Sequence, residues 1–214
     1  RTSRKHGCLK PKVSILMTSP FIVTVILNTN RRDDTLEALN SLYKNTYSNH
    51  QVIVLDNAST DGSVEAIRKE YPETHIIELN ENLGYAGNNN VGIQAAQEMG
   101  AEWIFVLNED TILADDFLEN LASAAQSDPR IGIVGPLVYH NDEPGVIQSA
   151  GGSLGPFWQS RHIGQNEIDE GQYNEVRDVE WISGCAILVK QEVIEQVGAL
   201  DTRFFYYWEE TEWC

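Results

Sequence analysis

The chain has 214 residues, enough for one domain with a sizeable core, and 32 acidic against 15 basic side chains give a formal net charge of −17. That balance excludes a nucleic-acid partner, which would need a basic face, and disfavours tight adhesion to anionic lipid outside a local basic patch. Three cysteines, Cys8, Cys185 and Cys214, are far apart and show no metal-ligand spacing, so a reducing compartment, the cytoplasm, is expected.

No apolar run approaches the roughly 18 residues of a membrane span. The amino-terminal residues are basic (Arg1, Arg4, Lys5, Lys10 and Lys12), and a short apolar run from Val13 to Met17 stops at Thr18-Ser19-Pro20. Residues 1–20 read as a loose leader. Phe21 to Leu27 is β-branched and apolar, the pattern of a buried first strand, and ends in the polar Asn28-Thr29-Asn30. Asp33 is placed to cap a helix through Leu36, Leu39 and Leu42. Gln51 to Leu55 reads as a second strand, followed by Asp56-Asn57-Ala58-Ser59-Thr60-Asp61-Gly62 and a helix from Ser63 to Glu70. Ile76 to Leu79 is a third strand. The polar turn from Asn80 to Asn90 then leads into a helix through Ile93, Ala96 and Met99, closed by Gly100.

Next comes Ile104 to Phe117, IFVLNEDTILADDF. Its apolar start suits a strand buried on both faces of a parallel sheet, and Asn108, Glu109 and Asp110 end it where open α/β sheets bind ligands. Two adjacent carboxylates there repel each other unless a cation sits between them, and oxygen ligands of this kind suit Mg²⁺ or Mn²⁺ with a substrate phosphate. The competing reading is a solvated turn with Asp115 as the cap of the next helix.

Strands thus alternate with helices at least four times, which predicts an α/β fold with a mainly parallel sheet flanked by helices. Three strands end in Asp/Asn-rich loops on one sheet edge, the arrangement of a nucleotide crevice. Beyond Pro129 the pattern changes. Ile131 to Val138 reads as a strand. Residues 141–180 read as a long loop, either a functional lid or a surface excursion pinned by aromatics such as Phe157, Trp158 and Tyr173. Trp181 to Lys190 returns to strand and Gln191 to Val197 to helix. Five aromatics, Phe204 to Trp208, then deliver Glu209-Glu210-Thr211-Glu212. Aromatics beside carboxylates raise their pKa, which suits a general base; the alternative is that the aromatics are core and the glutamates open a solvated helix.

The runs FIVTVILNTN, VLDNASTDGS, NENLGYAGNNNVGI, IFVLNEDTIL and WISGCAILVKQEVIEQVGALDTRFFYYWEETEWC, in that order, resemble the family 2 glycosyltransferases, in particular their rhamnosyltransferase-like members. The resemblance spans about residues 21–214. It implies a GT-A fold, a Rossmann-like sheet with an appended acceptor-side region, and divides the chain into a nucleotide-sugar-binding part (21–128) and an acceptor-side part (129–214) expected to be truncated at its carboxyl end. It also implies an inverting transfer from a nucleotide-diphosphate sugar to a glycan or lipid-linked saccharide, with Mg²⁺ or Mn²⁺ as cofactor and peripheral contact with the cytoplasmic membrane face. Carried over by position, Asp56 matches the aspartate that hydrogen-bonds the base, and Thr29 and Asn30 stand where the family contacts the nucleotide. Asn82, Gly84 and Asn88 lie in the loop that lines nucleotide and ribose. Asn108-Glu109-Asp110 occupies the place of the DXD-type motif, with Asp110 the expected metal ligand and Asn in place of the first Asp. Glu209-Glu210 stands where the family has Glu-Asp, making Glu210 the expected base, one methylene longer than the family's residue. Two alternatives remain open: a sugar nucleotidyltransferase, although NTNRRDD after the first strand lacks the glycines of a triphosphate loop, and a non-catalytic nucleotide-sugar-binding module.

Overall fold

The computed structural model describes residues 19–205 and 207–214. The leader expected over residues 1–20 falls outside the described residues up to position 18. Ser19 and Pro20 are held by the domain, their carbonyls accepting from Asn49 Nδ2 (2.8 Å) and the Tyr47 hydroxyl (2.6 Å).

The first half alternates strand and helix: β1 (Ile22–Asn28), α1 (Arg32–Tyr43), β2 (His50–Asp56), α2 (Ser63–Glu70), β3 (His75–Glu78), α3 (Gly84–Glu98), β4 (Trp103–Asn108) and α4 (Phe117–Gln126). The second half adds β5 (Ile133–Val134), β6 (Val138–Tyr139), β7 (Ile147–Ser149), β8 (Gly152–Leu154), β9 (Ser160–His162), β10 (Ala186–Lys190), α5 (Gln191–Val197) and α6 (Glu209–Trp213). The main sheet has six strands in the order β3-β2-β1-β4-β10-β5. β1 to β4 run parallel, as the alternation predicts, and β10 and β5 add an antiparallel edge.

Period-two alternation along the buried strands sends side chains to both faces. Ile22, Ile26, Val54 and Phe105 pack with Leu39 and Leu42 of α1, Ile67 of α2 and Leu118 of α4. Val23, Val25, Ile53 and Val106 pack with Ile93 of α3, Ile194 of α5 and Trp213 of α6. The result is a three-layer α/β sandwich whose right-handed crossovers leave every parallel strand's carboxyl end on one edge.

Several expectations are corrected. Asp33 does not cap α1; Arg31 occupies that position without a side-chain cap bond, and Asp33 lies in the first turn. The cap of α4 is Asp116 rather than Asp115, and its side chain makes no cap bond. The single strand expected from Ile131 to Val138 is two short ones, because Gly135-Pro136 interrupts the ladder: proline cannot donate to it, and the Cα of Gly135 lies against Ile182. Of Trp181 to Lys190 only the last five residues are strand. Residues 141–180 are not one loop: they hold β7, which pairs with β6 just before them, and the β8-β9 hairpin, whose two- and three-residue strands are too short to show a periodicity.

Helix α3 must lie close on the sheet, and Gly92 permits it. A Cβ there would stand 2.4 Å from Val25 Cγ1 and 3.0 Å from Leu55 Cδ1. Gly92→Ala is therefore expected to lose about 1–3 kcal/mol through overpacking, with the thermal midpoint dropping about 2–4 °C per kcal/mol for a domain this size. Thermal unfolding checks this against Gln94→Ala, an exposed neighbour on the same helix expected to be nearly silent.

Candidate active site

The parallel register sets the scale of the site. Asn28 of β1 pairs with Asp56 of β2, and Leu27 with Asn108 of β4. With neighbouring strands about 4.8 Å apart, the ends of β2 and β4 lie roughly 10 Å from each other across β1. The chain leaves β1 toward β2 on one side and returns to β4 on the other, so this edge is the topological switch point, where open α/β sheets form a crevice.

Asn28, fully buried, organises the floor. Its Nδ2 donates to Asp56 Oδ1 (2.8 Å) and Ser59 Oγ (3.0 Å), and its Oδ1 accepts from Thr35 Oγ1 (2.9 Å). Asp56 is likewise buried, and its Oδ2 accepts from the Ser59 amide (3.0 Å). The 56–62 loop is thereby tied to the exposed Thr29-Asn30 turn: the Asn30 amide donates to Ser59 Oγ (3.0 Å), Asn30 Oδ1 accepts from the Thr60 amide (2.8 Å), and Asn57 Nδ2 donates to Thr29 Oγ1 (3.4 Å). The turn expected from Asn80 to Asn90 ends at Leu83, and Gly84 to Asn90 already belong to α3; Asn82 Oδ1 accepts from the Gly84 amide (3.0 Å) and Asn88 Nδ2 (3.3 Å), and Asn88 Oδ1 accepts from the Leu83 amide (3.0 Å). Gly84 sits at φ +76°, and a Cβ there would lie 2.6 Å from the Phe205 carbonyl oxygen. Its missing side chain is thus explained by the carboxyl-terminal segment packing on it.

That segment is held to α3 at three points. Tyr85 N–H donates to the Phe205 carbonyl (2.9 Å), and Asn90 exchanges two bonds with the Leu200 backbone (2.8 and 3.0 Å). Trp213, buried in the core, donates its indole N–H to the Gly198 carbonyl (3.0 Å). The outcome is that α6 delivers Glu209 and Glu210 to the same edge as β4. A Cβ on Gly184 would stand 3.5 Å from Glu210 Cβ, so the Glu210 side chain lies on the strand approach to β10. Cys185, next along, accepts at its carbonyl from the Asn108 amide (2.9 Å).

Between these groups lies Tyr85, which the sequence reading did not single out. Its hydroxyl reaches the Gly184 carbonyl (2.9 Å) and Asn108 Oδ1 (3.2 Å). Burial pushes it well above its ordinary pKa, and the charges of Glu209, Glu210 and Glu109 add to the effect. Burial also raises the Cys185 thiol, with Asp110 and Glu210 contributing, which puts both carboxylates within electrostatic reach of one residue. Glu109 is raised by burial and by Asp110, against the pull of Arg31. Asp110 itself is exposed. Tyr85 could have been suspected only from its place directly after the polar turn, a position that opens a helix at the sheet edge.

Glu209 is 5% exposed, and its Oε2 has no hydrogen-bond partner among the described residues. Glu210 is half-buried and Glu212 exposed; three residues apart on α6, Glu209 and Glu212 fall on one helical face and Glu210 on another. The donor atoms beside the crevice are carboxylate and amide oxygens. Among the described residues no three His, Cys, Asp or Glu side chains converge as a self-contained metal cage. Oxygen-only donors in so small a number fit Mg²⁺ or Mn²⁺, which keep waters and bind substrate phosphates beside one or two carboxylates.

Comparison with known proteins decides the family. The model for Glycosyl transferase family 2 matches residues 23–198. The chain belongs to the family 2 glycosyltransferases. It is 31% identical over 179 residues to an N-acetylglucosaminyl-diphospho-decaprenol L-rhamnosyltransferase of Mycobacterium tuberculosis, covering 75% of this chain and 58% of that protein. It is 29% identical over 196 residues to the dTDP-rhamnosyl transferase RfbF of Shigella flexneri, covering 90% and 62%. The chain therefore spans about 60% of the length of these curated relatives. Among solved structures, the mannosyltransferase PcManGT of Pyrobaculum calidifontis in complex with GDP-Man and Mn²⁺ superposes with a TM-score of 0.61 at 21% identity, covering 87% of this chain and 49% of that one. S. aureus TarS superposes with a TM-score of 0.65 at 17% identity, covering 90% and 32%. Both support the GT-A fold of this family 2 chain. Among the described residues no helix is long and apolar enough to cross a membrane.

Glu209 yields a stability prediction. Burial raises its carboxyl pKa, with Glu210 adding to the rise. A carboxyl raised on folding leaves stability intact below its unfolded pKa and removes it as pH climbs through the folded value. Glu209→Gln should therefore melt above wild type at about pH 8 and close to it at about pH 4, near the unfolded carboxyl value. The gain at high pH should be on the order of 1 kcal/mol, the scale of an unmet buried polar group. Thermal melts across this range check it; a constant difference would assign the effect to packing.

Proposed function

We propose that this chain is the catalytic domain of an inverting glycosyltransferase. It moves a hexosyl or deoxyhexosyl unit from a nucleotide-diphosphate sugar to a hydroxyl of a glycan or lipid-linked saccharide in surface polysaccharide synthesis. The observation that carries this is the convergence, at one switch-point edge, of the polar ends of β1, β2 and β4 with Glu210 on α6, all on a family 2 fold.

The roles follow from position. Asp56 and the Thr29-Asn30 turn face the nucleoside, and Asn82 with the amino-terminal turn of α3, Gly84 and Asn88 among it, lines the ribose. Asn108 and Glu109 border the diphosphate, and Asp110 holds the divalent ion. The edge is strongly acidic, with Glu109, Asp110, Glu209 and Glu210 close together. A diphosphate enters such a field only with counter-charge, and Arg31, which opposes the rise at Glu109, is itself paired with Asp34. When bound, Mg²⁺ or Mn²⁺ offsets the charge that develops on the leaving diphosphate. Glu210 takes the proton from the acceptor hydroxyl as its oxygen attacks the anomeric carbon from the side opposite the diphosphate. The Tyr85 hydroxyl, fixed between Asn108 and Gly184, keeps the β4 end and the Glu210 platform in register.

Support for the substrate class comes from the relatives: one is named for transfer to a decaprenol-diphosphate sugar, another for dTDP-rhamnose. A lipid-linked acceptor would bring the protein to the cytoplasmic membrane face, and the free thiols of Cys185 and Cys214 accord with a reducing compartment.

The test uses the full-length protein. Glu210→Gln is expected to cut transfer by about 10²–10⁴-fold, the usual worth of general-base help, with donor affinity nearly unchanged. Asp110→Ala should remove the metal-dependent part of donor affinity, and Asp56→Ala should weaken donor binding with or without metal. Calorimetry with nucleotide sugars, alongside product assays, separates these outcomes. Full turnover in Glu210→Gln overturns the assignment of the base, and tight donor binding without transfer by the unaltered protein favours a binding module instead.

A further inference from the structure

The tip of the β8-β9 hairpin turns its aromatics outward instead of pinning the segment to the core. Phe157 is 93% exposed and Trp158 76%, the highest values among the large apolar side chains described. Both residues sit in left-handed backbone, at φ +67° and +62°. Bulky side chains are strained there, and Asn or Gly would hold the same turn with less strain. The turn is nonetheless closed: the Gly155 amide donates to the Gln159 carbonyl (2.8 Å) and the Trp158 amide to the Gly155 carbonyl (3.1 Å). The chain thus gives up stability to present two adjacent rings to solvent, where neither helps the fold.

Charge is missing along the chain around these rings. From Pro144 to Ser160 no residue is charged, in a chain with 32 acidic and 15 basic side chains. The first charge past the tip is the cation of Arg161, whose Nη2 donates to Gln159 Oε1 (3.4 Å). Glu180 meets the hairpin at its root, accepting from the Leu154 amide (2.6 Å). An indole and a phenyl ring ending an uncharged hairpin, with an arginine behind them, form the side-chain set of a bilayer interface. The root is fixed to the acceptor side. The Gly152 amide donates to the Trp181 carbonyl (2.8 Å), the Gly152 carbonyl accepts from the Glu180 amide (3.0 Å), and the buried Trp181 ring fills the space over Gly152. Gly184, three residues on, runs beside the Glu210 side chain. Phe157 stands roughly 15 Å beyond Gly152 at strand spacing, and Gly184 at most roughly 10 Å from Trp181, so one short, hydrogen-bonded path joins the tip to the base.

We propose that the β8-β9 tip is a membrane wedge: Phe157 and Trp158 enter the boundary between headgroups and acyl chains of the bilayer that holds the acceptor, and Arg161 stays among the headgroup phosphates. This rests on the reading of the acceptor as lipid-linked. Such an acceptor keeps its lipid in the bilayer during transfer, so the base has to work beside that surface. At a net charge of −17 the chain as a whole is repelled by anionic lipid, which leaves insertion of apolar side chains as the main attraction. The hairpin then sets the height of Glu210 above the bilayer.

The experiment uses the full-length protein and phosphatidylcholine vesicles, with and without phosphatidylglycerol, whose acyl chains are brominated to quench tryptophan. Wild type should be quenched by both kinds of vesicle and at high salt. Trp158→Leu, apolar but without the indole, should lose a distinct part of that quenching. Equal quenching in Trp158→Leu overturns the proposal, as does quenching that needs phosphatidylglycerol and vanishes at high salt. Phe157→Asn combined with Trp158→Gly removes both rings with residues that accept left-handed backbone, so its thermal midpoint should lie at or above that of wild type. With dTDP-rhamnose as donor, this double variant should show a KM about tenfold higher for an N-acetylglucosaminyl diphosphate prenyl lipid in vesicles, the scale of withdrawing two apolar side chains from lipid, and within about twofold of wild type for a short-chain, water-soluble form. A rise for both acceptors assigns the rings to sugar contact and overturns the wedge. So does a lowered thermal midpoint, which makes the rings structural, or the loss of a wild-type dimer, which makes them an interface between copies. If the unaltered protein transfers to neither acceptor while Trp158 is still quenched, the transferase reading fails and the membrane contact stands. If it transfers to the soluble acceptor while Trp158 is unquenched, the wedge fails and the transferase reading stands.

Discussion

The antiparallel pairing of β10 with β4 is the contact on which the site depends. β4 alone ends in Asn108, Glu109 and Asp110, the residues proposed for the donor side and no more. By running back along β4, with Ala186 opposite Leu107 and the Cys185 carbonyl on the Asn108 amide, β10 brings its own amino-terminal approach to the same edge. That approach includes Gly184, and Gly184 is where Glu210 lies. A parallel β10 would have placed its start at the opposite end of the sheet, some five residues or roughly 17 Å away, and no packing of α6 could have recovered the distance. The switch from parallel to antiparallel at one strand therefore joins two functions that the alternating first half could not combine.

Electrostatics sets a second condition. Tyr85, Cys185, Glu109 and Glu209 are each pushed against ionisation by burial and by neighbouring acidic groups on this edge. Under the proposed function, a cation and a diphosphate entering together would relieve that repulsion, the ion answering the carboxylates and the phosphates answering the ion. The folded chain holds this acidic edge through contacts made elsewhere: the Asn90–Leu200 exchange, the Trp213 indole in the core, and the Asn28 bonds beneath the crevice. Each is polar but satisfied, which is what allows it to be buried.

Much of this was legible in the order of residues. FIVTVIL, QVIVL and IFVL declare buried strands because the strands of a parallel sheet are apolar on both faces, and the polar residues that stop them fall by topology on one edge. Asp56, Asn108 and Asp110 could be placed there from pattern alone. The second half was less readable for physical reasons. Strands of two or three residues, such as β5 and β8, leave no room for a period. Gly135-Pro136 breaks a run that otherwise looks continuous. Arg31 takes the cap position expected of Asp33 because the Arg31 and Arg32 amides are bound by Asn28 Oδ1 (3.3 Å), at the end of the preceding strand, and by Asp61 Oδ2 (2.9 Å), remote in sequence. Tyr85 carried no local signal, since it matters through Gly184, about 100 positions away.

The glutamate at position 210, where the family's pattern has aspartate, can be weighed against this geometry. One extra methylene carries a carboxylate further from its backbone and adds a rotatable bond, which by itself would blur its aim. Here the side chain runs beside Gly184, where an added Cβ would stand 3.5 to 3.6 Å from its Cβ, Cγ and Cδ, an ordinary contact distance. The longer residue therefore runs along the strand approach to β10 with its whole stem beside the backbone. A methyl group at position 184 would sit against that stem without displacing it, so the glutamate does not depend on the glycine for its space. The departure from the family's aspartate is accommodated along the backbone that the extra methylene passes.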